Sequence, residues 1–220
     1  AVADLTISVT ADESEYFKKF GAKKTYVIPN GVDIEEFKYK RNINPRGTKI
    51  LFVGNFSYFP NTDAIKFFYY DVFRELGDQY SLKIIGKNSG KLGIDDTRVE
   101  SQEFVKDIKD EYYNADVMVS PIRIGGGTNF KLIEAAACGT PILAHSSRVS
   151  SLGLIPDEHL LTATTPSEFR AQLERLLEND ALQGKLSANA REFIEQNYSW
   201  QSIGKKLSKV WEEIAEKQYD

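Results

Sequence analysis

The stretch VMVSPIRIGGGTNFKLIEAAACGTPILA, Val117 to Ala144, decides the fold. It opens on Val117–Val119, an apolar run without polar alternation, as expected of a strand buried on both faces of a parallel sheet. Three glycines, Gly125, Gly126 and Gly127, then lead directly into a helix predicted over Asn129–Cys138, with Gly139 as its stop signal. Pro141–Ala144 reads as the next strand. Strand, glycine loop, helix and strand in such close succession form a βαβ unit.

The same stretch carries the chemistry. In open α/β sheets ligands bind beyond the carboxyl ends of the strands, where this loop must lie. Glycines let the backbone approach an anion, and the first N–H groups of the helix, at the positive end of its dipole, favour phosphate. Thr128 and Asn129 can add side-chain donors or cap the helix. Lys131, inside the first turn, can reach a phosphate oxygen. Glu134 lies three residues on, hence on the same helix face, and can accept from the two hydroxyls of a ribose. A glycine run alone reads equally well as a mobile surface loop, and the Lys131–Glu134 pair as an ordinary surface ion pair. The apolar neighbours Leu132, Ile133 and Ala135–Ala137 argue against a merely solvated helix.

Outward from this unit the βα alternation continues. Upstream, Lys49–Val53 and Leu82–Ile85 read as buried strands, Val99 as part of a short one, and Asp107–Asn114 as a helix. A helix capped by Asn61, with Asp63 in its first turn, is predicted to run to about Leu76. Near the start, Leu5–Val9 and Thr25–Ile28 read as strands around a helix over Ala11–Phe20, with Thr10 and Glu13 forming a capping box. Residues 33–47 read as an irregular linker. Downstream, His159–Leu161 reads as a last strand, followed by helices over Ser167–Leu177, Ala181–Asn197 and Ser202–Glu216. In the final helix Ile203, Leu207, Val210, Trp211 and Ile214 share one face, the pattern of core packing. The expected class is therefore α/β: a Rossmann-like, mostly parallel sheet with helices on both faces and a helical C-terminus.

Composition narrows the function. The 220 residues carry a net charge of −4, which argues against a nucleic-acid partner. The single cysteine, Cys138, allows no intrachain disulfide and reads as a small core residue in a cytoplasmic protein. Its two histidines lie far apart in sequence, no acidic cluster sits beside the glycine loop, and no metal site is expected. No apolar run approaches the roughly 20 residues that span a bilayer. Neither a dinucleotide-type G-x-G-x-x-G after the first strand nor a G-x-x-x-x-G-K-[ST] is present.

The chain resembles the C-terminal, donor-binding part of GT-B-fold glycosyltransferases of the large retaining family 4, the glycosyl transferases group 1. IPNGVDIEEF (Ile28–Phe37) is similar to the family's interdomain segment, KILFVGNFSYFPNTDA (Lys49–Ala64) to the first strand and loop of its donor domain, and Asn114–Ala144 to its signature stretch. The resemblance implies transfer of a sugar from a nucleoside-diphosphate sugar to an acceptor, without metal or other cofactor. It implies three parts: residues 1–47 as remnant of an N-terminal domain plus linker, 48–200 as nucleotide-sugar-binding domain, and 201–220 as a helix crossing back toward the N-terminal domain. The acceptor site and catalytic histidine region would belong to the N-terminal domain, so catalytic residues stay unassigned here and these residues are expected not to complete transfer alone. A peripheral position at the inner membrane face and self-association through the N-terminal remnant fit the same picture.

Donor contacts are expected from Gly54, Asn55, Gly125, Gly126, Gly127, Thr128, Asn129, Lys131 and Glu134 in one cleft, with Phe104 and Val105 bordering the base by resemblance. The family places two glutamates with seven residues between them. Glu134 matches the second, which binds the ribose, whereas the first falls on Gly126, leaving the backbone N–H groups of the glycine run at that place. Many members carry an arginine and a lysine in the loop that corresponds to Asn55–Asn61. This loop has neither, so Lys131 and Arg123 are the candidate cations. A nucleotide- or phosphate-binding module without transferase activity, and a nucleotide-sugar epimerase, are the competing readings.

Overall fold

The computed structural model of the protein describes residues 3, 5–40, 48–125 and 129–216. A two-stranded parallel sheet, β1 (Thr6–Ser8) and β2 (Thr25–Val27), flanks α1 (Ala11–Lys19) at the start of the chain. The Thr10 side chain accepts from Glu13 N, and Glu13 reaches back to Val9 N at 3.1 Å, so the sequence's cap signal is realised. The main body follows, alternating β3 (Lys49–Val53), α2 (Phe59–Phe67), β4 (Ser81–Ile85), β5 (Val99–Gln102), α3 (Ile108–Asn114), β6 (Val117–Ser120), α4 (Phe130–Cys138), β7 (Ile142–His145) and β8 (Leu161–Ala163). Three helices close the chain: α5 (Pro166–Leu177), α6 (Asp180–Tyr198) and α7 (Trp200–Glu216).

β3 to β8 form one sheet of six strands in the order β5-β4-β3-β6-β7-β8, every pairing parallel. The α/β class, the parallel sheet and its helical cover are thus as the sequence implies. The winding reverses between β3 and β6, which opens a crevice at their carboxyl ends. Burial on both faces explains the unbroken apolar strands. Ile50 and Phe52 belong to the core layer that also holds Val72 and Phe169, whereas Leu51 belongs to the layer with Ile133 and Ile194.

Three local predictions need correction. Asn61 lies inside α2 rather than at its cap: the helix starts at Phe59, after Tyr58, because Pro60 suits the first turn, where no N–H is required. The helix also does not run on to Leu76 as an α-helix. A π turn over Phe68–Val72 and a 3-10 turn over Phe73–Glu75 replace its second half, and Phe68, Tyr69, Val72 and Phe73 are all buried there. The last strand starts at Leu161 rather than His159. Asp157 turns the chain with a positive φ of 61°, and the buried His159 accepts through Nδ1 from Ile155 N at 2.9 Å.

The C-terminal helix also departs in detail. Ile203 and Val210 are buried, but Trp211 is 58% exposed, because it lies on the flank of the apolar stripe rather than at its centre. The crossing between the two ends of the chain is close. Val32 N donates to Tyr198 O at 2.7 Å, and a Cβ on Gly31 would meet the Trp200 ring at 2.8 Å. Glu213 of α7 accepts from Lys24 Nζ at 2.5 Å and from the Tyr26 hydroxyl. The segment read as linker is anchored by Arg191, which donates to Phe37 O and Ala137 O at 2.6 and 2.7 Å. Residues 41–47 of that segment lie outside the described residues.

Candidate functional site

A cleft of about 350 Å³ lies at the carboxyl ends of β3 and β6, where the winding reverses. The loop after β3 and the first turns of α4 form its sides. Gly54, Asn55, Gly125, Asn129, Lys131 and Glu134 all line it, so the structure brings these candidates together. Gly126, Gly127 and Thr128 lie outside the described residues. Gly125 has φ +105°, and a Cβ there would approach Pro60 Cγ to 3.0 Å and the Tyr58 hydroxyl to 3.1 Å. Only glycine lets the backbone pass at that point without strain.

Lys131 is the centre of the arrangement. Its ammonium donates to Asn61 Oδ1 at 2.8 Å and stands 5.0 Å from the Phe52 ring centroid. No carboxylate lies within ion-pair distance of it among the described residues. Burial therefore lowers its pKa to about 7, with the charge of Glu134 only partly opposing. Asn61 is in turn fixed, its Nδ2 donating to Asn55 O at 3.0 Å. Thus the residue that the sequence offers as a helix cap serves as the lysine's neutral partner.

Glu134, one turn along α4, is half-buried and lines the same cleft. The Tyr112 hydroxyl, on a wholly buried side chain, donates to its Oε2 at 2.8 Å. Burial raises the carboxyl's pKa, against the opposing Tyr112 hydrogen bond and Lys131 charge. The remaining carboxylate oxygen can accept from a ligand. Asn129 precedes α4 but does not cap it; its Nδ2 donates to Ser120 Oγ at 3.0 Å, tying the loop to the end of β6.

Other candidates stand apart. Arg123 is engaged by Asp63 through two hydrogen bonds of 2.8 and 3.2 Å, stacks 4.5 Å from the Phe67 ring centroid, and does not line the cleft. Phe104 is 75% exposed and Val105 packs against the core layer beneath α3 and α4; neither lines the cleft. Conversely, Tyr58, Asn61, Arg148 and Ser151 line it and were missed. The signal that could have found Arg148 is positional: it follows the carboxyl end of β7, on the ligand side of an open parallel sheet. Among the described residues no group of three or more His, Cys, Asp and Glu is placed to hold a metal, and no helix is long and apolar enough to cross a membrane.

Comparison with known proteins gives the family and the fold. The chain is 24% identical over 214 residues to an uncharacterized glycosyltransferase of Methanocaldococcus jannaschii, covering 86% of this chain and 52% of that one. It is 25% identical over 206 residues to a phosphatidyl-myo-inositol mannosyltransferase of Mycobacterium leprae, covering 86% of this chain and 53% of that one. The chain therefore spans about half the length of the curated relatives it matches. Its fold is that of Anabaena HepE, solved in complex with UDP and glucose, at a TM-score of 0.78, 16% identity and coverage of 96% of this chain and 63% of that one. It is likewise that of a sucrose-phosphate synthase from Thermosynechococcus elongatus, at a TM-score of 0.75, 20% identity and coverage of 96% and 58%. The family described as glycosyl transferases group 1 matches residues 47–179, more than half of the sequence, and the chain belongs to that family.

Proposed function

We propose that the cleft binds a nucleoside-diphosphate sugar, and that the chain is the donor-binding part of an enzyme transferring that sugar to an acceptor with retention of configuration. The observation that carries the reading is Lys131: a cation without a carboxylate partner among the described residues, held at the first turn of α4 by the neutral Asn61. An ammonium buried without a counter-charge is costly unless an anion completes it. Here the helix N-terminus and the glycine loop favour the same anion. When the bond between the anomeric carbon and the β-phosphate oxygen breaks, negative charge grows on that oxygen, and Lys131 is placed to stabilise it. Glu134, held by Tyr112, is placed for the ribose hydroxyls. Retention rests on the resemblance to family 4. That Anabaena HepE was solved with UDP supports a uridine nucleotide as first probe. In this reading the leaving group is neutralised by protein cations without a metal, the protein is cytoplasmic, and the acceptor site is formed by other residues.

Calorimetric titration with UDP-, GDP-, ADP- and dTDP-sugars tests the reading. Saturable binding of one class is expected. Failure of all four sugars and of their free diphosphates would overturn it.

A further inference from the structure

Arg148 is the unused cation of the cleft. It lines the cleft together with Lys131, on the loop after β7. Among the described residues its guanidinium has neither a hydrogen-bond partner nor a carboxylate within ion-pair distance. That sets it apart from Arg123, neutralised by Asp63 at 2.8 Å, and from Arg98, neutralised by Asp96 at 2.9 Å.

Its backbone is nevertheless fixed on both sides. On one side the His145 ring accepts from Ser147 N at 3.3 Å and stacks on Phe169. On the other, Val149 and Leu152 are buried, and the Tyr198 hydroxyl donates to Leu152 O at 2.9 Å. An ordered loop thus presents a free, half-buried arginine to a cleft that holds one other cation, Lys131. The charge arithmetic gives it a role. A nucleoside diphosphate carries at least two negative charges, whereas the loop Asn55–Asn61 brings no cation and Arg123 is already paired.

We infer that Arg148 is the second diphosphate-binding residue, its planar fork gripping phosphate oxygens across the cleft from Lys131. The inference rests on the reading of the cleft as a nucleoside-diphosphate site. It moves the second cation from the loop after the first strand to the loop after β7. Ser151, which also lines the cleft, donates its hydroxyl to Arg148 O at 3.5 Å.

The test is titration of the chain with UDP and with uridine, for the native protein and for Arg148→Ala, Arg148→Lys, Lys131→Ala and Lys185→Ala, the last an exposed lysine on α6. Arg148→Ala is expected to weaken UDP by about ten- to a hundredfold while leaving uridine within about twofold. Arg148→Lys should recover part of that loss, because the charge remains but the fork does not, and Lys185→Ala should match the native protein. Undiminished UDP affinity in Arg148→Ala, alongside a loss in Lys131→Ala, would overturn the role of Arg148 and leave the cleft's reading standing. Equal losses for UDP and uridine would overturn it too, by showing a structural effect. A native protein that binds neither UDP nor GDP nor ADP would remove the reading itself, and this inference with it.

Discussion

The two ends of the sheet hold two cavities of opposite character. At the amino ends of β3, β4 and β5 lies the larger, about 600 Å³, and its half-buried cations, Lys83 and Arg98, are matched by carboxylates, whereas Lys49 at its edge is exposed. There Lys83 lies 2.8 Å from Glu111 and 3.5 Å from Glu100, while Arg98 is held by Asp96 and caps Leu76 O at 2.8 Å. At the carboxyl ends lies the smaller, about 350 Å³, and its two cations, Lys131 and Arg148, have no carboxylate partner among the described residues. Size alone favours the amino-end cavity. Uncompensated charge in a crevice at the reversal of winding chooses the other, because such charge is tolerated where a ligand completes it.

The contrast can be broken by mutation at each end. Glu134→Ala should weaken UDP and uridine alike by about 1.5–3 kcal/mol, the range for a hydrogen bond to a charged group. It should also destabilise the fold, because the wholly buried Tyr112 hydroxyl loses its acceptor. Glu134→Gln keeps an acceptor for Tyr112, so it should retain stability while still weakening the nucleotide. Calorimetry and thermal denaturation separate the two effects. If Glu134→Ala leaves uridine affinity unchanged, the ribose role fails.

Proton linkage sharpens the same contrast. Burial lowers the folded pKa of Lys131 to about 7, from an unfolded value near 10.5. Between those values the unfolded chain binds the extra proton, so stability rises with pH across that window. The cost of the charged lysine is felt in full below about pH 7. A diphosphate needs the charged form, so binding above about pH 7 must take up a proton. UDP affinity should then fall with rising pH, approaching tenfold per unit, and Lys131→Met should flatten the profile. The charge that acts on Lys131 is that of Glu134 on its own helix, and Arg148 lines the same cleft. A flat native profile between pH 7 and 9 would contradict the desolvated lysine.

At the amino end the effects should be small. Glu111→Ala leaves Lys83 with Glu100 and should cost at most about 1 kcal/mol of stability, as partly exposed pairs do, without changing nucleotide affinity. A chelator should leave UDP binding unchanged; lost binding would reveal a metal at the diphosphate.

Much of this was legible in the chain. Continuous apolar runs such as Ile50–Val53 and Val117–Val119 announce a parallel sheet, and the glycine loop before Lys131 marks its ligand edge. Periodicity could not show what depends on tertiary contact. Asn61 has the composition of a cap and the role of a lysine's partner, because Pro60 moves the helix start three residues earlier. Arg123 has the position of a phosphate ligand but is claimed by Asp63, sixty residues away in sequence. Arg148 lies in a loop with no motif, and only the pairing of β7 beside β6 brings it to the cleft.

The most direct test compares Lys131→Ala with Lys83→Ala, titrating each with UDP and with uridine. A loss of about ten- to a hundredfold for UDP is expected in Lys131→Ala, with uridine almost unchanged, and no loss for either ligand in Lys83→Ala. Equal losses for UDP and uridine in Lys131→Ala, or a UDP loss confined to Lys83→Ala, would contradict it.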